Sequence, residues 1–216
     1  MLYNPEIAHK IAQILLELEA IKLSPDQPFT WASGMKSPIY CDNRLSLSDP
    51  EGRTFIKESF AKLLKEKFEG TTAVSGVATA GIAHGALLAD ETGLPFSYVR
   101  SKPKGHGMQN AIEGRVNKGD KILVVEDLVS TGGSSLKAVD ALREAGAEVL
   151  GLCSIFTYGF SKSVKAMEEA NCTYYSLCDY PTVIKVAEEI GHLIPEQLDS
   201  LLEWYKDPES WEMAEF

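Results

Sequence analysis

Nowhere does the chain offer an apolar run long enough to cross a bilayer, which takes about 18 residues or more. Basic charge is scarce as well: 21 Lys and Arg stand against 31 Asp and Glu, leaving a formal charge of −10 at pH 7. Surfaces that hold nucleic acid or anionic lipid need clustered cations, so neither is expected as the main partner. Cysteine is sparse, and Cys41, Cys153, Cys172 and Cys178 show no CxxC spacing. They are expected to be buried small hydrophobes in a reducing compartment, not a disulfide framework. His9, His84, His106 and His192 are scattered without ligand spacing, which argues against a protein-bound zinc. The start, Met-Leu-Tyr-Asn-Pro-Glu, lacks the basic and apolar regions of a signal peptide, so a cytoplasmic location is expected. No repeat, Walker A loop or dinucleotide fingerprint is present.

What is present is concentrated in residues 122–135, Ile-Leu-Val-Val-Glu126-Asp127-Leu128-Val129-Ser130-Thr131-Gly132-Gly133-Ser134-Ser135. Four apolar, mostly β-branched residues read as a buried parallel strand, the two carboxylates cap it, and a helix starts near Gly132. At the carboxyl edge of such a strand the amides of Ser130 to Ser134 would lie free of any ladder, facing the positive end of the next helix dipole. Glycines let backbone approach an anion, and the hydroxyls add donors. Glu126 and Asp127, one step earlier, can accept hydrogen bonds from sugar hydroxyls and steady a developing positive charge. Together they describe a ribose 5-phosphate site. The plainer alternative is a polar strand end followed by an ordinary βα turn.

The rest of the 216 residues suits one α/β domain with appendages. A helical stripe runs through Ile7, Ile11, Ile14, Leu15 and Leu18, and a stretch rich in aromatics, Phe29 to Arg44, suggests two short strands. Ser48-Asp49-Pro50-Glu51 opens a helix near 49–67. From there strands near 72–76, 95–99, 122–125, 148–157 and 173–177 alternate with helices, which predicts a doubly wound parallel sheet with ligands at the carboxyl ends of its strands. The turn at 75–81, the loop at 100–115 and the 130–134 turn would gather on that edge. The acidic tail after Lys206 reads as a solvated end. Arg100-Ser-Lys102-Pro-Lys104-Gly105-His106-Gly107 is a local exception to the acidic balance. A hinged basic loop there could close over an anionic leaving group, the alternative being a solvated surface loop.

Residues 122–135 closely resemble the phosphoribosyl pyrophosphate (PRPP) motif of the type I phosphoribosyltransferases. The Tyr-Val-Arg strand end with Lys-Pro-Lys-Gly-His-Gly resembles the mobile catalytic loop of the orotate phosphoribosyltransferases, and Phe29 to Tyr40 resembles that family's hood over the base. The resemblance implies a type I phosphoribosyltransferase fold, with the N-terminal helix and hood in 1–45 and the core in 46–216. It implies transfer of phosphoribosyl from PRPP to orotate, giving orotidine 5′-monophosphate and pyrophosphate in pyrimidine biosynthesis. By position it places Arg100, Lys104, His106 and Glu126, Asp127, Leu128, Val129, Ser130, Thr131, Gly132, Gly133 and Ser134 at PRPP. Lys104, His106 and Asp127 are the catalytic candidates, and Ser130 also matches the position that touches orotate. Mg²⁺ is expected to arrive with PRPP without a dedicated protein cage, and a homodimer sharing the 100–115 loop is implied.

The chain departs from the family in three places: Ala32 stands where many members have lysine, Thr79-Ala80 where many have Tyr-Lys, and no arginine lies near Tyr158. The cation for the orotate carboxylate is therefore sought in the hood, at Arg44 or Lys36, with a structural salt bridge as the alternative for Arg44. A purine or uracil phosphoribosyltransferase, or a PRPP-sensing regulator, are the rivals. The orotate-like hood argues against the first and the acidic balance against the second.

Overall fold

Capping residues set the first helices. In the computed structural model, which describes residues 1–31, 34–101, 111–208, 210 and 211, the Asn4 side chain accepts from the amides of Glu6 and Ile7 and Pro5 opens α1 (Pro5–Glu17). Asp49 accepts from the Gly52 amide in the same way to open α2 (Pro50–Lys67). Between them lies the hood segment: β1 (Ile21–Leu23), β2 (Phe29–Thr30), β3 (Lys36–Ser37), β4 (Ile39–Cys41) and a 3-10 turn, Asn43–Ser48. β1 pairs antiparallel with β4, and β2 with β3. Two strands were expected over 29–44 and three are present, because pieces of two or three residues are too short to show an alternating pattern.

The main sheet has six strands: β5 (Ala73–Val77), β6 (Phe96–Val99), β7 (Ile112–Glu113), β8 (Lys121–Val129), β9 (Glu148–Thr157) and β10 (Tyr174–Asp179). Their order is β10-β9-β8-β5-β6-β7, parallel except for β7, which runs antiparallel to β6 at the edge. The helices are α3 (Gly81–Thr92), α4 (Gly133–Glu144), α5 (Ser161–Glu169), α6 (Tyr180–Glu189) and α7 (Pro195–Lys206). Residues along β8 alternate between two cores. Leu123 and Val125 join Ile11, Phe60 and Leu88 of α1, α2 and α3, whereas Ile122 and Val124 join Val139 and Leu142 of α4. The sheet is thus covered on both faces, the requirement for a parallel sheet.

Chain order reverses between β5 and β8. β5 leads to β6 on one side, and β8 to β9 and β10 on the other. Such a switch point opens a crevice beyond the strand ends, where ligands bind in open α/β sheets. Two expectations need correction here. β8 does not stop at the carboxylates but carries Glu126 to Val129 in register with Ser154 to Thr157 of β9, since a neighbouring strand that continues offers partners for their backbone groups. The 100–115 stretch is not all loop, because Ile112 and Glu113 form β7. Among the described residues no helix is long and apolar enough to cross a membrane. All four cysteines are free, and Cys153, Cys172 and Cys178 are buried while Cys41 is half-buried.

Candidate active site

At the switch point the carboxylate pair divides between the faces of β8. Glu126 is buried, its two oxygens accepting from the Ser135 hydroxyl of α4 at 3.1 Å and from the Asp127 amide at 3.1 Å. Burial, and then the neighbouring Asp127, push its carboxyl far above the ordinary range. Burial also raises Asp127, opposed by hydrogen bonds and by the Arg44 charge. Two acids this close titrate as a unit, and burial biases the pair toward keeping a proton. Asp127 lies toward the hood, where the buried Asn43 amide donates to its backbone carbonyl at 2.8 Å.

Beyond Val129 the chain turns. Leu128 is half-buried and the Val129 side chain is buried, while the Val129 carbonyl accepts from the Thr157 hydroxyl and the Tyr158 amide. Val129 can therefore meet a ligand only through its backbone. Among the described residues no backbone bond uses the amides of Ser130, Thr131, Gly132, Gly133 or Ser134. Gly132 caps α4 at φ +84°, a conformation that disfavours any side chain. Across the crevice, α3 comes so close that a Cβ on Gly81 would sit 2.5 Å from the Val125 carbonyl and 3.2 Å from the Glu126 Cα. The missing side chain of Gly81 is what allows the start of α3 to stand against Val125 and Glu126.

A cleft of about 1130 Å³ opens beside the turn. Ser130 and Thr131 form one side, Trp31 and Met35 of the hood another, and Phe160, Lys162 and the end of α7 the rest. Its floor is aromatic: Phe160 stacks on Tyr158 with planes 4° apart and centroids at 5.2 Å. Trp31 packs on Tyr158 at 5.2 Å and edge-on to Trp204 of α7 at 5.9 Å. The Trp204 indole also donates to the Lys36 carbonyl at 3.4 Å, tying α7 to the hood.

The structure brings Glu126, Asp127 and Ser130 to Ser134 together at one strand end. Arg100 follows β6 on the same edge, half-buried and 3.4 Å from Glu113. Lys102, Lys104 and His106 lie outside the described residues, as does Ala32. The hood cations are occupied elsewhere. Arg44 grips the Asp42 carboxylate in two places, at 2.6 and 2.8 Å, and Lys36 donates to the Thr30 hydroxyl at 2.9 Å. Neither lines the cleft, so the salt-bridge alternative for Arg44 is the geometry present. The tail after Lys206 is not simply solvated: Asp207 and Pro208 line the cleft and Trp211 packs against the core. Sequence reasoning missed Asn43, Ser135, Phe160 and Lys162. Only Ser135 carried a signal, as the next hydroxyl after the glycine turn and on the first turn of α4.

Comparison with known proteins settles the family. A model of the phosphoribosyl transferase domain matches residues 48–193. An orotate phosphoribosyltransferase of Bacillus pumilus is 54% identical over 204 residues, covering 94% of this chain and 96% of that protein. One from Listeria innocua is 53% identical over 205 residues, covering 95% and 98%. The chain belongs to the orotate phosphoribosyltransferase family. Among solved structures, the orotate phosphoribosyltransferase of Aeropyrum pernix superposes with a TM-score of 0.74 at 27% identity, over 85% of this chain and 99% of that one. The fold is accordingly that of a type I phosphoribosyltransferase, and the rivals among purine and uracil enzymes and PRPP-sensing regulators give way to the orotate family.

Proposed function

We propose that this chain transfers the 5-phosphoribosyl group of PRPP to orotate, forming orotidine 5′-monophosphate and pyrophosphate for pyrimidine synthesis. The observation that carries the reading is the acidic pair, Glu126 buried and Asp127 half-buried, running directly into the free amides of Ser130 to Ser134 at the switch point. Full-length relatives that bear the orotate phosphoribosyltransferase name support orotate as the base.

The carbon–oxygen bond from ribose to pyrophosphate breaks as a base nitrogen bonds to the same carbon, and the proton of that nitrogen leaves. Positive charge develops on the sugar, so the enzyme needs fixed negative charge more than a nucleophile. Asp127 is the group for that role, with Glu126 as the neutral partner that orients it and shares its proton. The amides of Ser130 to Ser134, with the Thr131 and Ser134 hydroxyls, hold the 5-phosphate, a remote handle that orients the reacting carbon. Leu128 and Val129 contribute backbone alone. Arg100, Lys104 and His106 neutralise departing pyrophosphate, and Ser130 borders the base.

Among the described residues no three His, Cys, Asp or Glu side chains converge as a metal cage. Asp127 supplies the hard oxygen donor type that Mg²⁺ takes, which fits an ion carried in on PRPP and completed by substrate oxygens. When bound, Mg²⁺ offsets diphosphate charge. A homodimer sharing the 100–115 loop and a cytoplasmic location complete the proposal, with residues 1–45 as the base-covering part and 46–216 as the catalytic body. The test is loss of orotate absorbance on adding PRPP and Mg²⁺. Consumption of orotate but not of hypoxanthine, adenine or uracil is expected, and turnover of another base in its place would overturn the assignment.

A further inference from the structure

Two ammonium groups of the cleft have no work in the scheme above. Lys162, in the first turn of α5, and Lys206, at the end of α7, line the same cleft as Ser130, and neither makes an ion pair with another described residue. We propose that Lys162 receives the carboxylate of the base and so selects orotate over uracil, which lacks that group. This rests on the orotate activity proposed above.

A carboxylate resting against the aromatic side of the cleft, Trp31, Phe160 and Tyr205, loses water there, so it requires a cation or several donors at the point where it comes to rest. The hood offers none that is free: Arg44 is held by Asp42 and Lys36 by Thr30, and both lie outside the cleft lining. Lys206 is the weaker choice because Asp207, an anion, lines the cleft right beside it. Lys162 is flanked in the chain by Ser161 and Ser163, not by an acid, and stands two residues after Phe160, whose ring lines the cleft and stacks on the buried Tyr158. A flat pyrimidine on that floor has its edge within the sweep of a lysine, whose four-carbon stem lies along apolar surface while its head stays polar.

Lys162→Ala, Lys162→Arg and Lys162→Glu are compared with the wild type and with Lys165→Ala, a control on the same helix whose ammonium pairs with Glu169 at 3.8 Å. Removing one charged hydrogen-bond partner should raise the orotate KM on the order of 10-fold or more in Lys162→Ala and further in Lys162→Glu. Lys162→Arg should restore most of the affinity, and the PRPP KM should stay within about twofold throughout. Competition by uracil, which has no carboxylate to lose, should be unchanged, so the ratio of orotate to uracil affinity falls. If the wild type turns over orotate and Lys162→Ala keeps its orotate KM, the assignment of Lys162 is wrong while the activity stands. If the wild type does not turn over orotate, the activity reading fails and this inference with it.

Discussion

The two ends of the site are built from different materials. The end proposed for phosphate is one continuous stretch of backbone from Glu126 to Ser135, fixed by the β8–β9 register and by a left-handed Gly132. The end proposed for the base is side chain: Trp31 from the hood, Phe160 before α5 and the Trp204–Tyr205 turn of α7, brought together across more than half the chain. Backbone geometry anchored in a parallel sheet hardly adapts, which suits a phosphate shared by every phosphoribosyl donor. A ring cluster assembled from three segments can be altered without touching the sheet, which suits the part that chooses the base. Asn43 joins the hood to the acidic pair, its amide donating to the Asp127 carbonyl at 2.8 Å.

Breaking the base end should cost the most. Trp204 is fully buried and touches Trp31, Tyr158, Phe160 and Tyr180. Trp204→Ala should lose about 3–5 kcal/mol of stability, read by denaturant unfolding. The residual folded enzyme should show a raised orotate KM.

At the phosphate end, Asp127→Asn should keep PRPP binding, measured by calorimetry, while turnover falls on the order of 10²-fold or more. The loss is chemical because the phosphate amides remain. Near-normal turnover would remove Asp127 from its role.

Asn43→Ala tests the joint between the two. It leaves the Asp127 carbonyl without its buried donor, so a loss of about 1–3 kcal/mol is expected, together with a fall in kcat larger than any change in either KM.

Glu126→Gln sharpens the comparison by acting on charge alone. Burial, and then the neighbouring Asp127, raise the Glu126 carboxyl in the fold and so favour its protonated form. Its contribution is therefore complete below the ordinary carboxylate range and is lost as pH rises through the elevated folded value. The amide cannot ionise, so the Tm of Glu126→Gln should gain on the wild type as pH climbs from about 5 to 8. The gain would be about 2–4 °C for each kcal/mol in a chain of this size. A constant offset across that window would mean that Glu126 is ionised in the folded protein.

The same contrast explains what could be read from residue order. The strand at 148–157, the acidic pair and the glycine turn were legible because each is local: an apolar run, a charge step, a φ that asks for glycine. The continuation of β8 through Val129 was not, since it depends on β9 lying alongside. β7 and the hood strands are too short to carry a period. The cleft was illegible for a different reason. Nothing near Trp31 indicates Trp204, and nothing in the sequence of the tail shows that Asp207 and Pro208 close one side. The position of Arg44 was not legible because its local partner Asp42, two residues away, engages its Nε and one Nη.

The separation of the two ends can be measured directly, with the KM values of both substrates determined side by side in Gly132→Ala and Trp31→Leu. A Cβ on Gly132 would sit 3.1 Å from the Met167 methyl on a backbone at φ +84°, so that variant should disturb the phosphate turn alone. The account predicts that Gly132→Ala raises the PRPP KM about 10-fold or more and leaves orotate within about twofold, and that Trp31→Leu does the reverse. Equal changes in both constants in both variants would contradict it, because the phosphate and base ends would then be one unit.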